Sequence, residues 1–260
     1  MKIKRIVNFP DKGIRNGRLY QAAILIMLSV MYSCSNEIAS PMQTGCKLLQ
    51  YGDFELYNYD SIVYDANGII DKVYKKQPGG NQEYNYIFGV DKLQIFKSDL
   101  GVQNELVAEF VLSASGKPLS LVENGVITRK FYYSGDYLDY QLWPATQDSL
   151  VYYYVMPSLN PVKVEIYRLD TNTGNWNLTN STSCSYDDKS NPLQGLILPI
   201  ENWNLEDFYF QNNRTSYLGS DPGSSPFSIE YSYNELNYPL IRTLTWNNFL
   251  EKKEFRYNCQ

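Results

Sequence analysis

The sequence predicts an all-β domain, a long antiparallel meander of hairpins rolled into an open or closed barrel-like sheet. Aromatic and branched residues alternate with polar ones through most of residues 46–260, as in "VKVEIYRLD" over Val162, Val164 and Ile166. Clusters of Gly, Asn, Asp, Ser and Pro punctuate these runs, among them "SASG", "TNTGN" and "SDPGSS". The 260 residues also include 24 tyrosines, a side chain suited to half-buried pleated surfaces. The spacing of runs and turns gives about fourteen strands.

The chain begins differently. Residues 1–33 carry Lys2, Lys4, Arg5, Lys12, Arg15 and Arg18 against Asp11 alone, followed by the apolar run Ala22–Met31. That run is short for a membrane span and fits the core of a signal peptide. Ser33-Cys34 then resembles the end of a bacterial lipobox, which makes Cys34 the lipidation site and residues 34–45 a polar tether. Partnership with a membrane through this anchor follows. Ser35 after the cysteine points to the outer membrane of a Gram-negative cell, with the facing side left open.

Residues 46–260 read as a single β-domain. Its hairpins share a recurring phrase. "VYDANGIIDKV" (63–73), "VLSASGKPLSL" (111–121), "SYDDKSNPLQG" (185–195) and "SYNELNYPLIR" (232–242) align on Tyr64, Leu112, Tyr186 and Tyr233. The next position is Asp65, Ser113, Asp187 or Asn234, whose side chains can accept from the turn's own amides. Three residues on stand Gly68, Gly116, Ser190 and Asn237, mostly types that tolerate positive φ. Then Ile70, Pro118, Pro192 or Pro239 opens a new strand. Because the acid becomes Ser in one copy and Asn in another, the phrase is a structural joint rather than a catalytic or metal loop. The exception to the β pattern is "NWNLEDFYFQN" (202–212), whose Asn cap and early acids predict one short helix.

These hairpins are similar to the units of YD-repeat proteins. The domain as a whole resembles small bacterial lipoproteins of a domain-of-unknown-function family with a porin-like fold. The resemblance is carried by "GCKLLQYGD", "LPIENWNLEDFYF", "YSYNELNYPLIRTLTW" and "EFRYNCQ". It implies a rolled or closed meander and supplies no activity, ligand or catalytic residue. A pore does not follow from it: "DKVYKK" and "EKKEF" place charge on both strand faces, where a lipid-facing band would exclude it.

With Cys34 acylated, Cys46, Cys184 and Cys259 remain for an oxidising compartment. Cys46 and Cys259 bracket the domain and are the favoured disulfide, with Cys184 in the core; a pair that uses Cys184, or three free thiols, are the alternatives. "DTNTGN" (170–175) has the oxygen spacing of a calcium loop without its closing Glu, so it reads as a turn.

Function is bounded more by exclusion. The chain has no His, which removes His-assisted Ser or Cys catalysis and the commonest metal ligand. The net charge of −5, with the basic leader removed, leaves a strongly acidic domain that would repel nucleic acid. No cofactor, metal or catalytic set is expected. The reading is a non-catalytic envelope lipoprotein whose β-domain binds a glycan or an envelope protein, with Trp176 and Trp143 as the aromatic binding surface. Trp246, inside "TLTWN", is expected in the core. The alternative is a carboxylate glycoside hydrolase using acids such as Glu105 and Glu109 or Glu201 and Glu206.

Overall fold

The computed structural model describes residues 46–99, 104–199, 209–219, 227–247 and 249–259. Cys34, the leader and the tether therefore lie outside the described residues. So does most of the 202–212 segment, of which Tyr209 is helical and Asn212 already belongs to a strand.

Among the described residues, sixteen strands follow one another. They are β1 (Cys46–Asp53), β2 (Asn58–Tyr64), β3 (Ile70–Gln77), β4 (Gly80–Phe88), β5 (Lys92–Asp99), β6 (Glu105–Leu112), β7 (Pro118–Glu123) and β8 (Val126–Ser134). Then come β9 (Tyr137–Trp143), β10 (Asp148–Tyr154), β11 (Pro161–Leu169), β12 (Trp176–Ser190), β13 (Asn212–Gly219), β14 (Phe227–Tyr233), β15 (Pro239–Trp246) and β16 (Phe249–Cys259). Each pairs antiparallel with its chain neighbours, and β1 pairs with β16, so the sheet closes into a barrel with no free edge. Cys46 faces Cys259 across that seam and the two form a disulfide, while Cys184 is buried in the core.

A meander sends alternate turns to opposite ends. The end holding Cys46, Cys259 and the joints is termed lower, and the other end upper. Period-two alternation then sorts side chains between lumen and wall. Strand β2 turns Asp60 and Ile62 inward and exposes Val63. Inward residues of successive strands, such as Val73, Tyr86, Ile95, Phe110, Leu121 and Phe131, make one core.

The joints confirm the sequence pattern in three copies. Asp65 Oδ1 accepts the amides of Asn67 and Ile69 (both 2.9 Å), and Asn234 Oδ1 accepts those of Leu236 (3.0 Å) and Tyr238 (2.9 Å). Ser113 Oγ takes the amide of Lys117 at 3.0 Å. Gly68, Gly116 and Asn237 all have positive φ (82°, 76° and 62°), the conformation the turn demands. Ile70, Pro118 and Pro239 each open the next strand.

The fourth copy differs. Asp187 lies within β12, and Pro192 opens no strand. Instead, the β12–β13 connection (residues 191–211) packs its described flanks into the lumen. Leu193, Ile197, Leu198 and Phe210 belong to the same core as the barrel wall. Tyr86 Oη donates to the Ile197 carbonyl at 2.8 Å, and Lys75 Nζ to that of Pro199 at 3.1 Å. Asparagines clamp its two ends. Asn160 Oδ1 accepts the amides of Gln211 (2.8 Å) and Asn212 (3.1 Å), and Asn191 Nδ2 donates to the Phe210 carbonyl (3.1 Å). A connection that leaves a barrel strand and enters the lumen must find partners for its backbone there, and these side chains supply them.

Four tyrosines near the lower end fasten hairpin partners together. Tyr64, Tyr133, Tyr154 and Tyr257 donate to the carbonyls of Leu48 (2.8 Å), Pro118 (2.7 Å), Leu138 (3.0 Å) and Pro239 (2.9 Å). Each bond ties an even strand to the start of the odd strand before it. Burial pushes the Tyr64 phenol up to about 12.

Candidate functional site

Two regions of the barrel carry more chemistry than its architecture requires. One is the rim at the upper end. Phe227 opens β14 and Trp246 closes β15, so their rings stack at 5.1 Å with planes 16° apart. Trp246 pairs with Phe249 across the next turn, and Leu250 follows, 64% exposed. Trp246 is itself 41% exposed, which corrects the expectation that it is core: its place at the strand's last residue lifts it out of the packed lumen.

The patch continues onto the β1–β2 turn, where Lys252 Nζ approaches Glu55 Oε1 at 3.9 Å. That turn exposes Leu56 and Tyr57. Asp53 Oδ1 accepts the Leu56 amide at 2.9 Å, and Tyr57 adopts φ +53°. Phe54 stacks on Tyr59 at 4.5 Å while the Arg256 guanidinium sits 3.8 Å over Phe54. Aromatic and aliphatic groups therefore face water across five consecutive strands, from β14 round to β2.

Trp143 and Trp176, named from sequence, also lie at the upper end, closing β9 and opening β12. Trp143 receives the Arg129 guanidinium at 5.4 Å from its ring, and Trp176 stands opposite Leu169. Both are half-buried. The three described tryptophans thus share one end of the barrel but not one patch. Sequence reasoning missed Trp246, Phe249, Leu250 and Leu56. The available signal was a turn, "WNNF", that sets aromatics on both sides of Asn-Asn.

The other region is a buried charge cluster on the lumen side of β15, β16 and β1–β3. Asp60 is 4% exposed, and its Oδ1 has no hydrogen-bond partner among the described residues. It pairs across the sheet with Lys75 and Tyr51. Burial raises its pKa from 3.8 to about 6, even though the charges of Lys75 and Lys253 pull the other way. Glu251 bridges Lys253 Nζ (2.9 Å) and Arg242 (3.4 Å), and both cations lean over the Tyr51 ring, at 5.6 and 6.0 Å.

The acids considered for hydrolysis are spent elsewhere. Glu109 accepts Gln94 Nε2 (2.7 Å) and Lys92 Nζ (3.4 Å), and Glu105 is an exposed first residue of β6, level with Lys97 in the ladder. Glu201 and Glu206 lie outside the described residues. Residues 170–175 form the β11–β12 turn. Asp170 accepts the Asn172 amide and the Thr173 hydroxyl, each at 2.9 Å, and Gly174 has φ +71°.

The described wall has a telling distribution. Every exposed large apolar side chain sits in a turn or within three residues of a strand end. The outer surface also carries ion pairs, among them Lys72–Glu83 (2.9 Å) and Lys163–Glu165 (2.6 Å).

No family model and no curated protein matches this chain. Among solved structures, a porin-like protein from Bacteroides uniformis is similar at 8% identity and TM-score 0.50, over 84% of this chain and 97% of that one. A second porin-like protein, from Bacteroides vulgatus, shares 12% identity at TM-score 0.35, over 83% of this chain and 98% of that one. The first likeness shows the fold: a porin-like antiparallel barrel.

Proposed function

We propose that this chain is a non-catalytic cell-envelope lipoprotein, anchored through Cys34, whose barrel captures a protein partner at its upper rim. The observation that carries this reading is the exposed patch of Trp246, Phe249, Leu250 and Leu56. It combines a stacked tryptophan with aliphatic neighbours at the end opposite the chain's entry at Cys46. Such patches with an aromatic anchor are what protein interfaces use, and among the described residues these side chains remain open to water.

The barrel stands beside the membrane rather than within it. A membrane barrel presents an apolar band about 25 Å tall at mid-wall. Here mid-wall holds Glu83, Lys130 and Glu230, and the exposed apolar groups among the described residues lie nearer the two ends. At about 2–4 kcal/mol for a mid-plane cation such as Lys130, lipid around this wall would be unfavourable.

A second reading, glycan capture, is supported by Trp176 flanked by the exposed Asn175 and Asn177. A photo-crosslinking residue at Leu250, compared with one at Ser61 on the mid-wall, separates the readings in intact cells. A discrete protein adduct at Leu250 alone, lost on Trp246→Ala, is expected. No adduct, together with glycan-array binding that disappears on Trp176→Ala, would replace the protein with a sugar.

A further inference from the structure

The lower end also exposes apolar side chains, and these have no fold-level explanation. Lower turns in this barrel are polar joints, "DANG" and "SASG" among them, as turn chemistry favours. Three break the rule. The β4–β5 turn presents Val90, 97% exposed and therefore packed on nothing. The β10–β11 turn exposes Val155 and Met156, and the β14–β15 turn Leu236. Around the sixteen-strand ring these turns lie six, four and six strands apart, which makes a tripod.

We infer that the lower end of the barrel seats on the surface of the lipid bilayer, with Val90, Met156 and Leu236 entering the headgroup region. This rests on the lipid-anchor reading. Cys34 stands twelve residues before Cys46, and Cys46 opens β1 at the lower end. Fully extended, that tether spans about 43 Å, and it leaves the barrel at the tripod's end, so the lower end needs the least of that length to meet lipid. The acyl chains tether without orienting, whereas three spaced apolar feet oppose tilting in every direction. Charge complements this only for neutral lipid. Asp65, Asp91, Asp136, Asp188 and Glu235 still outnumber Lys47, Lys92, Lys117 and Lys189 on this end, so anionic headgroups add no net attraction. The seat is apolar, and its occupancy does not depend on salt.

The test uses the acylated protein in phosphatidylcholine vesicles containing doxyl-labelled lipid. An environment-sensitive fluorophore is placed on Val90→Cys, Met156→Cys or Leu236→Cys, with Leu56→Cys at the upper end as the control. Blue-shifted emission and doxyl quenching at all three lower sites, with neither at Leu56→Cys, is the expected result. Water-exposed emission at the lower sites of vesicle-attached protein overturns the seat and leaves the anchor intact, as does equal quenching at Leu56→Cys. Failure of labelled fatty acid to enter wild type removes the anchor, and the seat falls with it.

Discussion

Replacing Asp60 by Asn should stabilise the protein, and by an amount that grows with pH. Asp60 is buried, Oδ1 lacks a hydrogen bond among the described residues, and its folded pKa is about 6 against an ordinary 3.8. A carboxyl raised in the folded state holds its proton more tightly there than in the unfolded chain. Folding is therefore unpenalised below pH 3.8 and loses stability as pH rises to 6, after which the penalty is constant. The difference of 2.2 units corresponds to about 3 kcal/mol at pH 7 and about 1.6 kcal/mol at pH 5. Asn keeps the shape without the charge, but it leaves Lys75 and Lys253 without the opposite charge, so 3 kcal/mol is an upper bound. For a domain of this size that is a Tm gain of roughly 6–12 °C at pH 7, falling to little at pH 4. Equilibrium denaturation of wild type and Asp60→Asn at several pH values between 4 and 8, without reductant, reads it directly. A difference that is flat with pH, or that favours wild type increasingly above pH 6, would refute the assignment of a desolvated carboxylate.

Cys259→Ser should lower stability without changing the fold, because the Cys46–Cys259 bridge closes a separation of 213 residues and constrains the unfolded chain by at most about 5 kcal/mol. Denaturation with and without reductant should show the same loss in wild type and none in the variant. Asp65→Ala and Asn234→Ala each delete two turn hydrogen bonds and should cost about 1–2 kcal/mol, adding in the double variant because the joints share no contact. Asn160→Ala removes the acceptor for two amides of the luminal connection and should cost about 1–3 kcal/mol. Limited proteolysis should then cut within residues 191–211 faster than in wild type, whereas unchanged cleavage would deny Asn160 its clamping role.

The period-two pattern and the turn clusters made the barrel's class legible, and the joints were legible to the residue. Asp65, Ser113 and Asn234 announce themselves because one side-chain oxygen satisfies the turn's amides locally, with no help from the rest of the fold. Asp187 carries the same local words and is a strand residue, because the chain beyond it is drawn into the lumen by Leu193, Ile197 and Phe210. That outcome is set by a cavity that fifteen other strands create, and no window of sequence contains it. The closing disulfide was within reach because a meander that rolls shut brings its two ends together. The expected fourteen falls short of the sixteen described because two-residue turns, such as Asn124-Gly125 between β7 and β8, barely interrupt the pattern. Trp246 was misplaced for a related reason. Alternation tells which face of a strand a residue takes, but only the strand's length tells whether that face is still covered by core.

The alternation of ends explains why the two kinds of surface separate so cleanly. In a meander closed by its own termini, lower turns share an end with the first and last residues, and this chain uses that end for closure. The disulfide, the tyrosine clasps, the joints and the entry of the luminal connection all gather there. The upper end carries none of these duties. Its β1–β2 and β15–β16 turns are free to hold Leu56, Tyr57, Trp246 and Phe249 largely in water, outside the luminal core. Exposed apolar groups on a structural end have a physical use only if something apolar meets them, and Val90, Met156 and Leu236 lie on the end from which the proposed tether leaves. One topology thus provides a foot and a face. If crosslinks from Leu250 and lipid quenching at Val90 were found on the same end of the anchored barrel, the polarity assigned here would be wrong.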